Sequence, residues 1–362
     1  MSLTRILHVI DDKKFISSCR ETFAVQGVEN LFSASGELED KLKDGNFDIL
    51  IVHFLRDTVV RALLNVNVTI PVIWFFWGGD AFSMGKFYNT FLTPKSRKAR
   101  IEVAFKTSIA SGCRNVLKDL IPHTVDWDSK VKSKIKVMSS FDWIVPIIPE
   151  DFDILRSAYP IKANSMHLNY ISPSIEGAKS TNPTGENILL GNSASFTNNH
   201  LDAIDMLGEM DLAGRKVIIP LSYGNAKYAK VVSDYALRHL GDKAYPLKDF
   251  MPFDQYSAMM SSCNVLILNH FRQQALGNVV HAFMSGMKVC IPSKSALYDH
   301  LVGLGFIITA LDGNKLSLDG LNQVQQDSNR RLCIEHFGAE KQHKRVKKLI
   351  ALVTNSSPAG KV

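Results

Sequence analysis

Residues 263–291 read CNVLILNHFRQQALGNVVHAFMSGMKVCI, and the fold is decided there. Asn264 to Leu268 are a short apolar, β-branched run, and Asn269 to Gln274 are polar. From Ala275 onward, Val279, Val280, Phe283 and Met284 recover helical spacing. The pattern predicts strand, turn and helix. Gly286 suits a helix C-cap and Val289 to Ile291 resume a strand, so the stretch is a βαβ crossover whose loop opens on a helix N-terminus. Free N–H groups and a positive partial charge at such an end favour a phosphate.

The same alternation runs outward in both directions. Upstream, Ile188 to Leu190, Lys216 to Pro220 and the helices Asn198 to Met210, Ala226 to Leu240 and Phe253 to Ser261 repeat it. Downstream come Ser295 to Gly303, Phe306 to Thr309 and the helical Leu321 to His336. Near the start, strands at Leu3 to Ile10, Val28 to Phe32, Phe47 to Phe54 and Ile70 to Phe76 alternate with helices, the signature of a mainly parallel sheet. Ser83 to Ser140 breaks the rhythm and is read as a helical elaboration of the first domain. Phe141 to Ile148 and Ser165 to Ile171 are its last expected strands. Ser172 to Asn187, rich in Ser, Pro, Gly, Thr and Asn, reads as a linker. The expected domains are thus 1–175 and 188–340, with 341–362 a C-terminal helix or tail packing back on the first.

Length and composition agree with two α/β halves: 362 residues, 46% hydrophobic and 21% charged, describe a globular chain with room for two cores. The apolar run Ile70 to Trp77 falls far short of the ~20 residues needed to span a bilayer. No basic, apolar and small-residue signal opens the chain, so the expected location is cytoplasmic. Five scattered cysteines without CxxC spacing read as reduced thiols. The net charge of +7 is unevenly placed, because Lys95 to Lys136 holds eleven Lys or Arg against four acidic residues and so carries a surplus equal to the whole. Such a segment suits a nucleic acid, an anionic lipid surface or a diphosphate-linked substrate, or is a solvated helix face.

Four groups of chemistry-bearing residues lie at strand ends. Trp77, Gly78, Gly79 and Asp80 follow the fourth strand, where Asp80 either acts as general base on an acceptor hydroxyl or caps the next helix. His53, ending the preceding strand, lines the same region or packs in the core. Gly191, Asn192 and Ser193, with Thr197 and Asn198 after them, suit a phosphate or ribose hydroxyl and equally suit helix capping. Pro220 to Gly224 brings Tyr223, and Tyr228 lies about a turn later; Leu247 to Phe253 enters a helix at Pro252 and could edge a base. His270, Arg272, Gln273, Gln274, Gly277 and Asn278 gather a cation, amides and a small residue at one helix mouth, which suits a diphosphate without a metal.

Several chemistries lack their motifs. There is no Gly-x-Gly-x-x-Gly, Walker loop, HExxH, metal-spaced Cys/His set or Gly-x-Ser-x-Gly. A non-catalytic nucleotide- or nucleic-acid-binding protein using the basic 95–136 face is the rival class, although aromatics are not interleaved with its cations as base stacking requires.

Taken together, VIWFFWGGDAF (Val72 to Phe82), ILLGNSASFTNNHLDAI (Ile188 to Ile204), VIIPLSYGN (Val217 to Asn225), LKDFMPFDQYSAMMSSCNVLILNHFRQQALGNV (Leu247 to Val279) and GMKVCIPSKSALYDHL (Gly286 to Leu301) resemble glycosyltransferase family 56. The family's Trp-Gly-Ala-Asp is Trp-Gly-Gly-Asp here. The resemblance implies an α/β GT-B fold, two Rossmann-like domains facing across a cleft, and a metal-independent hexosyltransferase without cofactor. It implies a dTDP-linked 4-acetamido-4,6-dideoxyhexose as donor and an undecaprenyl-diphosphate-linked saccharide as acceptor. The pathway would be bacterial surface polysaccharide synthesis, of enterobacterial common antigen or O-antigen. The protein would work peripherally on the anionic cytoplasmic face of the inner membrane, with no nucleic acid partner. Carried onto this chain, Gly191, Asn192, Ser193, Tyr223, Tyr228, Phe250, Pro252 and Tyr256 would surround the nucleotide. Arg272, Gln273, Gln274, Gly277 and Asn278 would hold the diphosphate. His53, Trp77 and Gly78 would face the acceptor, with Asp80 and Arg272 catalytic.

Overall fold

The structure is a computed structural model that describes residues 3–120, 128–171, 175, 182–312 and 316–355; most of the expected linker lies outside these. The chain forms two compact units, one of Met1–Tyr88, His123–Pro173 and His336–Val362, the other of Asn89–Pro122 and Ser174–Glu335.

In the first unit, β1 (Thr4–Val9), β2 (Val28–Ser33), β3 (Ile49–His53), β4 (Val72–Phe76), β5 (Trp143–Pro146) and β6 (Asn164–Ser165) form one sheet in the order β2-β1-β3-β4-β5-β6. Every pairing in it is parallel. Helices α1 (Lys13–Thr22), α2 (Leu38–Asp44) and α3 (Asp57–Asn65) connect its early strands, and α6 (Ser129–Met138) and α7 (Pro149–Ala158) flank β5. β3, β4 and β5 are buried at every position, which is why they read as unbroken apolar runs rather than alternating ones. The basic-looking C-terminal helix α14 (Ala339–Asn355) is amphipathic: Val346, Leu349 and Val353 join the core beside Ile6, Phe23 and Ile51.

The second unit contains β7 (Asn187–Leu190), β8 (Val217–Pro220), β9 (Ala244–Leu247), β10 (Cys263–Ile267), β11 (Lys288–Ile291) and β12 (Thr309–Ala310), again all parallel, in the order β12-β11-β10-β7-β8-β9. Read from the other side this is 3-2-1-4-5-6, the doubly wound order, whose direction reverses between β7 and β10. Helices α8 (His200–Gly208), α9 (Ala226–Leu240), α10 (Phe253–Ser261), α11 (Leu276–Met284), α12 (Ala296–Gly303) and α13 (Gln323–Phe337) accompany these strands. α11 buries Leu276, Val279, Val280 and Phe283, the stripe its spacing predicts. It stops where Gly286 turns to φ +73 and Met287 N–H reaches back to Ala282 O at 2.8 Å; a Cβ on Gly286 would lie 2.6 Å from Gln326 Oε1.

The observed elements depart from expectation in three places. Of Ser165 to Ile171 only Ser165 joins the sheet, with Asn164 before it in the two-residue β6. Beyond them Leu168 N–H turns to Pro146 O and Asn169 N–H is taken by the Gln342 side chain. β9 was not foreseen, because an edge strand reading Ala-Tyr-Pro-Leu carries a proline and only partial burial. Residues 89–122, expected to elaborate the first domain, cluster with the second unit. Within that unit α4 (Pro94–Phe105) puts Ala99 and Val103 into the core around β7 and β8, and Thr93 Oγ1 donates to Asp202 at 2.6 Å.

Candidate functional site

In a doubly wound sheet, ligands bind beyond the carboxyl ends of the strands where the order reverses. In the second unit those ends are Gly191 onward after β7 and Leu268 onward after β10, so topology brings two of the predicted clusters together. Gln274, 8% exposed, joins them: its Nε2 donates to Asn192 Oδ1 at 2.9 Å and its Oε1 accepts from Thr197 Oγ1 at 2.7 Å. A second tie, absent from the sequence expectations, is reciprocal. Asn199 Nδ2 donates to Asn269 O at 3.0 Å and Asn269 Nδ2 to Asn199 O at 3.1 Å. Asn199 stands at φ +47 and Ala275, immediately before α11, at φ +59. Two left-handed non-glycine residues at two facing loops are strain of the kind that clusters at ligand sites.

Gly191 is fixed by two requirements: it adopts φ +71, and a Cβ there would lie 2.6 Å from His200 Nε2. His200 is fully buried, and burial depresses its pKa to about 3, so it is a neutral packing group. His270 likewise drops to about 3, through burial and then the neighbouring charge of Arg272. Ser193 is buried, and its carbonyl accepts from Asn198 Nδ2 at 2.9 Å. Tyr223 O accepts from Ala194 N–H at 2.8 Å, which brings the β8 loop beside the β7 loop, and the Tyr223 ring is half exposed.

At the mouth of α11 no side chain caps the first turn, and a Cβ on Gly277 would meet nothing within 4 Å. An anion can therefore approach that backbone closely. Asn278 Nδ2 donates to the Tyr256 hydroxyl at 3.1 Å, linking α11 to α10; burial first, then the nearby Tyr223, raises the Tyr256 pKa above the usual phenol range. Pro252 is the N-cap of α10, and Phe250 in the loop before it is 83% exposed. Arg272 and Gln273 are buried, with Arg272 Nη1 donating to Gln273 O at 2.8 Å, so the guanidinium is folded onto its own loop. Tyr228 corrects its expectation. It is fully buried in the core, 4.2 Å from the Phe196 ring, and supports the β7 loop from beneath instead of lining a surface.

In the first unit Asp80 also departs from expectation. It does not project a free carboxylate: it is 2% exposed, and its Oδ2 accepts from Trp74 Nε1 at 2.7 Å and Leu55 N–H at 3.0 Å. Burial raises its pKa against the lowering effect of those bonds and of Lys134. Gly78 O accepts from Phe82 N–H at 2.8 Å and closes the turn that carries Trp77, which meets Phe15 edge-on at 4.6 Å.

His53 is not a lone histidine. Asn30 Nδ2 donates to Phe23 O at 2.9 Å, which turns Asn30 Oδ1 toward His8 Nε2 at 2.9 Å and places a proton on that nitrogen. His8 Nδ1 must then accept, so the proton in the 2.9 Å contact belongs to His53 Nε2, and His53 Nδ1 accepts from the Tyr170 hydroxyl. Both rings are neutral: burial lowers His8 to about 4 and drives His53 well below its ordinary value. With Cys19 these two form, among the described residues, the group whose donor atoms lie within 4.8 Å of one another and could hold an ion. Burial raises the Cys19 pKa and favours its protonated thiol.

Comparison with known proteins places this geometry. The family model described as 4-alpha-L-fucosyltransferase, glycosyl transferase group 56, matches residues 164–330. Among solved structures, a glycosyltransferase from Rickettsia africae superposes with a TM-score of 0.59 at 10% identity, covering 99% of this chain and 100% of that one. AviGT4, a glycosyltransferase involved in avilamycin A biosynthesis, gives 0.56 at 11% identity, covering 98% and 99%. Anabaena HepE, solved with UDP and glucose, gives 0.60 at 10% identity, covering 96% and 100%. At such identities the structures speak for the fold, which is GT-B. The matched segment takes in both tied loops and the mouth of α11; over it the chain is similar to glycosyltransferase group 56, and the enzyme is a hexosyltransferase.

Proposed function

We propose that this transferase moves a 4-acetamido-4,6-dideoxyhexose, of the N-acetylfucosamine kind, from a dTDP-sugar to an undecaprenyl-diphosphate-linked saccharide. The product would belong to a bacterial surface polysaccharide, enterobacterial common antigen or O-antigen. The observation that carries the donor half is the Gln274 bridge between Asn192 and Thr197 at the switch point of the second sheet. It holds the β7 and β10 loops around the uncapped first turn of α11, where the diphosphate would sit on the backbone of Gly277 and Asn278. Arg272 would swing from Gln273 O to the departing diphosphate and stabilise its charge without a metal. Gly191, Asn192 and Ser193 would meet the ribose side, with Tyr223, Phe250, Pro252 and Tyr256 edging the base. The fucosyltransferase description of the matched family favours a 6-deoxyhexose donor.

On the acceptor side, Trp77, Gly78 and His53 lie at the carboxyl ends of β3 and β4. The buried, doubly bonded Asp80 fits a positioning role better than that of the base: it holds Leu55 and Trp74, and so the turns on which His53 and Trp77 stand. No helix of the described residues is long and apolar enough to cross a membrane, so a lipid-linked acceptor would be met from the surface. The test is transfer from dTDP-, UDP- and GDP-linked sugars to a lipid-diphosphate saccharide, with and without chelator. Turnover with the dTDP donor that survives chelator is expected; preference for another nucleotide refutes the donor assignment.

A further inference from the structure

Helix α5 (Ile109–Leu120) has a face that the fold of the second unit leaves in water. Ile109 is 77% exposed, Leu120 74% and Leu117 50%, and Cys113 between them is exposed as well. Positions 109, 113, 117 and 120 share one side of a helix. The other side is seated on α4, where Gly112 is buried against the Phe105 ring, and α4 in turn is fixed to the core by Ala99 and Val103. The stripe therefore stands on an anchored hairpin.

Its surroundings are cationic. Residues 94–120 hold seven Lys or Arg against Glu102 and Asp119. Exposed Arg114 and partly buried Lys118 lie beside the stripe, and Lys106 is exposed at the end of α4. Asp119 does not offset them toward solvent, since it already faces Arg100 and accepts from Asn89 Nδ2.

We propose that α5 docks on an anionic bilayer, with Ile109, Cys113, Leu117 and Leu120 dipping below the headgroups and Lys106, Arg114 and Lys118 on lipid phosphates. An amphipathic helix with cations beside its apolar face is built for that boundary, and an apolar stripe together with a basic patch supplies the two signals that stable reversible anchoring needs. A nucleic acid would satisfy the cations and leave the large aliphatic side chains in water. The inference rests on the proposed function only in that a lipid-linked acceptor resides at such a surface.

Co-sedimentation of the full chain with phosphatidylethanolamine/phosphatidylglycerol vesicles, against neutral phosphatidylcholine, tests it. The double variant Ile109→Gln/Leu120→Gln leaves the charge unchanged. It should lower partition to the anionic vesicles about tenfold, while Tm, circular dichroism and transfer to a short water-soluble acceptor stay as in the wild type. Arg114→Gln/Lys106→Gln should weaken binding to anionic vesicles alone. The proposal is overturned if the wild type does not sediment with anionic vesicles, or if the glutamine variant sediments equally well. An RNA that the wild type binds and the Ile109→Gln/Leu120→Gln variant loses would also overturn it. Vesicle binding is read without donor, so failure of sugar transfer would refute the proposed function and leave this result standing.

Discussion

Gln274 Nε2 donates to Asn192 Oδ1 at 2.9 Å across 82 residues of sequence, and the other end of the same buried amide is bonded to Thr197. One side chain thus fixes the separation of the two loops on which the donor would rest. Gln274→Ala removes both bonds and leaves the buried Asn192 without this partner, so a loss of about 2 kcal/mol in urea unfolding is expected, together with at least tenfold weaker dTDP binding. Gln274→Glu, which sets a carboxylate against Asn192 Oδ1, should be no better. Unchanged affinity in both variants would mean the loops are positioned by something else.

Two glycines near this bridge should respond oppositely to alanine. Gly191→Ala meets positive φ and a contact 2.6 Å from buried His200, so it should destabilise by about 2 kcal/mol or more. Gly277→Ala meets open space on a helix, so stability should hold or rise by up to about 1 kcal/mol. Donor affinity should nonetheless fall, because the added methyl stands where a phosphate would touch the backbone. Thermal unfolding with and without dTDP separates the two effects.

Asp80 is expected to matter for stability before chemistry. Asp80→Ala strips the partners from Trp74 Nε1 and Leu55 N–H, at a cost of about 2–3 kcal/mol, seen as a lower urea midpoint. Asp80→Asn keeps an acceptor oxygen in place, and its turnover should stay within a few-fold of the wild type. A hundredfold loss of kcat in a well-folded Asp80→Asn protein would restore the carboxylate to the chemistry. Because burial raises the Asp80 pKa, its ionised form is disfavoured in the folded chain. Its contribution to stability should therefore fall as pH rises from the unfolded pKa through the folded one, and Asp80→Asn should flatten that dependence.

The buried histidines set a second pH dependence, of opposite sign. His8 is lowered to about 4 and His200 and His270 to about 3, with His53 also well below its usual value. Below pH 6.5 the unfolded chain takes up protons that the folded chain refuses, so stability should be full above that pH and decline as pH falls toward 4. The slope is up to about 1.4 kcal/mol per pH unit for each histidine. Urea midpoints measured from pH 7.5 to 5 should show it, and His8→Gln should reduce the slope.

Much of the architecture was legible from periodicity alone. The stretch from Cys263 to Ile291 is strand, loop, helix and strand as its spacing predicts, because β10 is buried throughout and α11 has one apolar stripe. Legibility fails where partners are distant in sequence. Tyr228 reads as a possible ligand aromatic until packing puts it under the β7 loop, and Asp80 reads as a free acid until Trp74 and Leu55 occupy it. His53 alone says nothing of His8 and Tyr170, which bond it from another strand and a late loop, or of Asn30, which bonds His8 from a third strand. The Asn199–Asn269 tie left only a faint signal, one asparagine just after a strand and one in a left-handed turn just before a helix. The strand order that makes the β7 and β10 loops neighbours is a property of the whole sheet and of no local motif.

The central claim, that the loop after β10 receives the donor's diphosphate, is tested most directly by calorimetric titration of dTDP into the wild type and into Arg272→Ala and Arg272→Lys. The account predicts binding by the wild type and at least tenfold weaker binding by Arg272→Ala at an unchanged apo Tm. Arg272→Lys should be intermediate, because a point charge replaces a bidentate fork. Equal dTDP affinity in all three proteins, or none in the wild type, would contradict it.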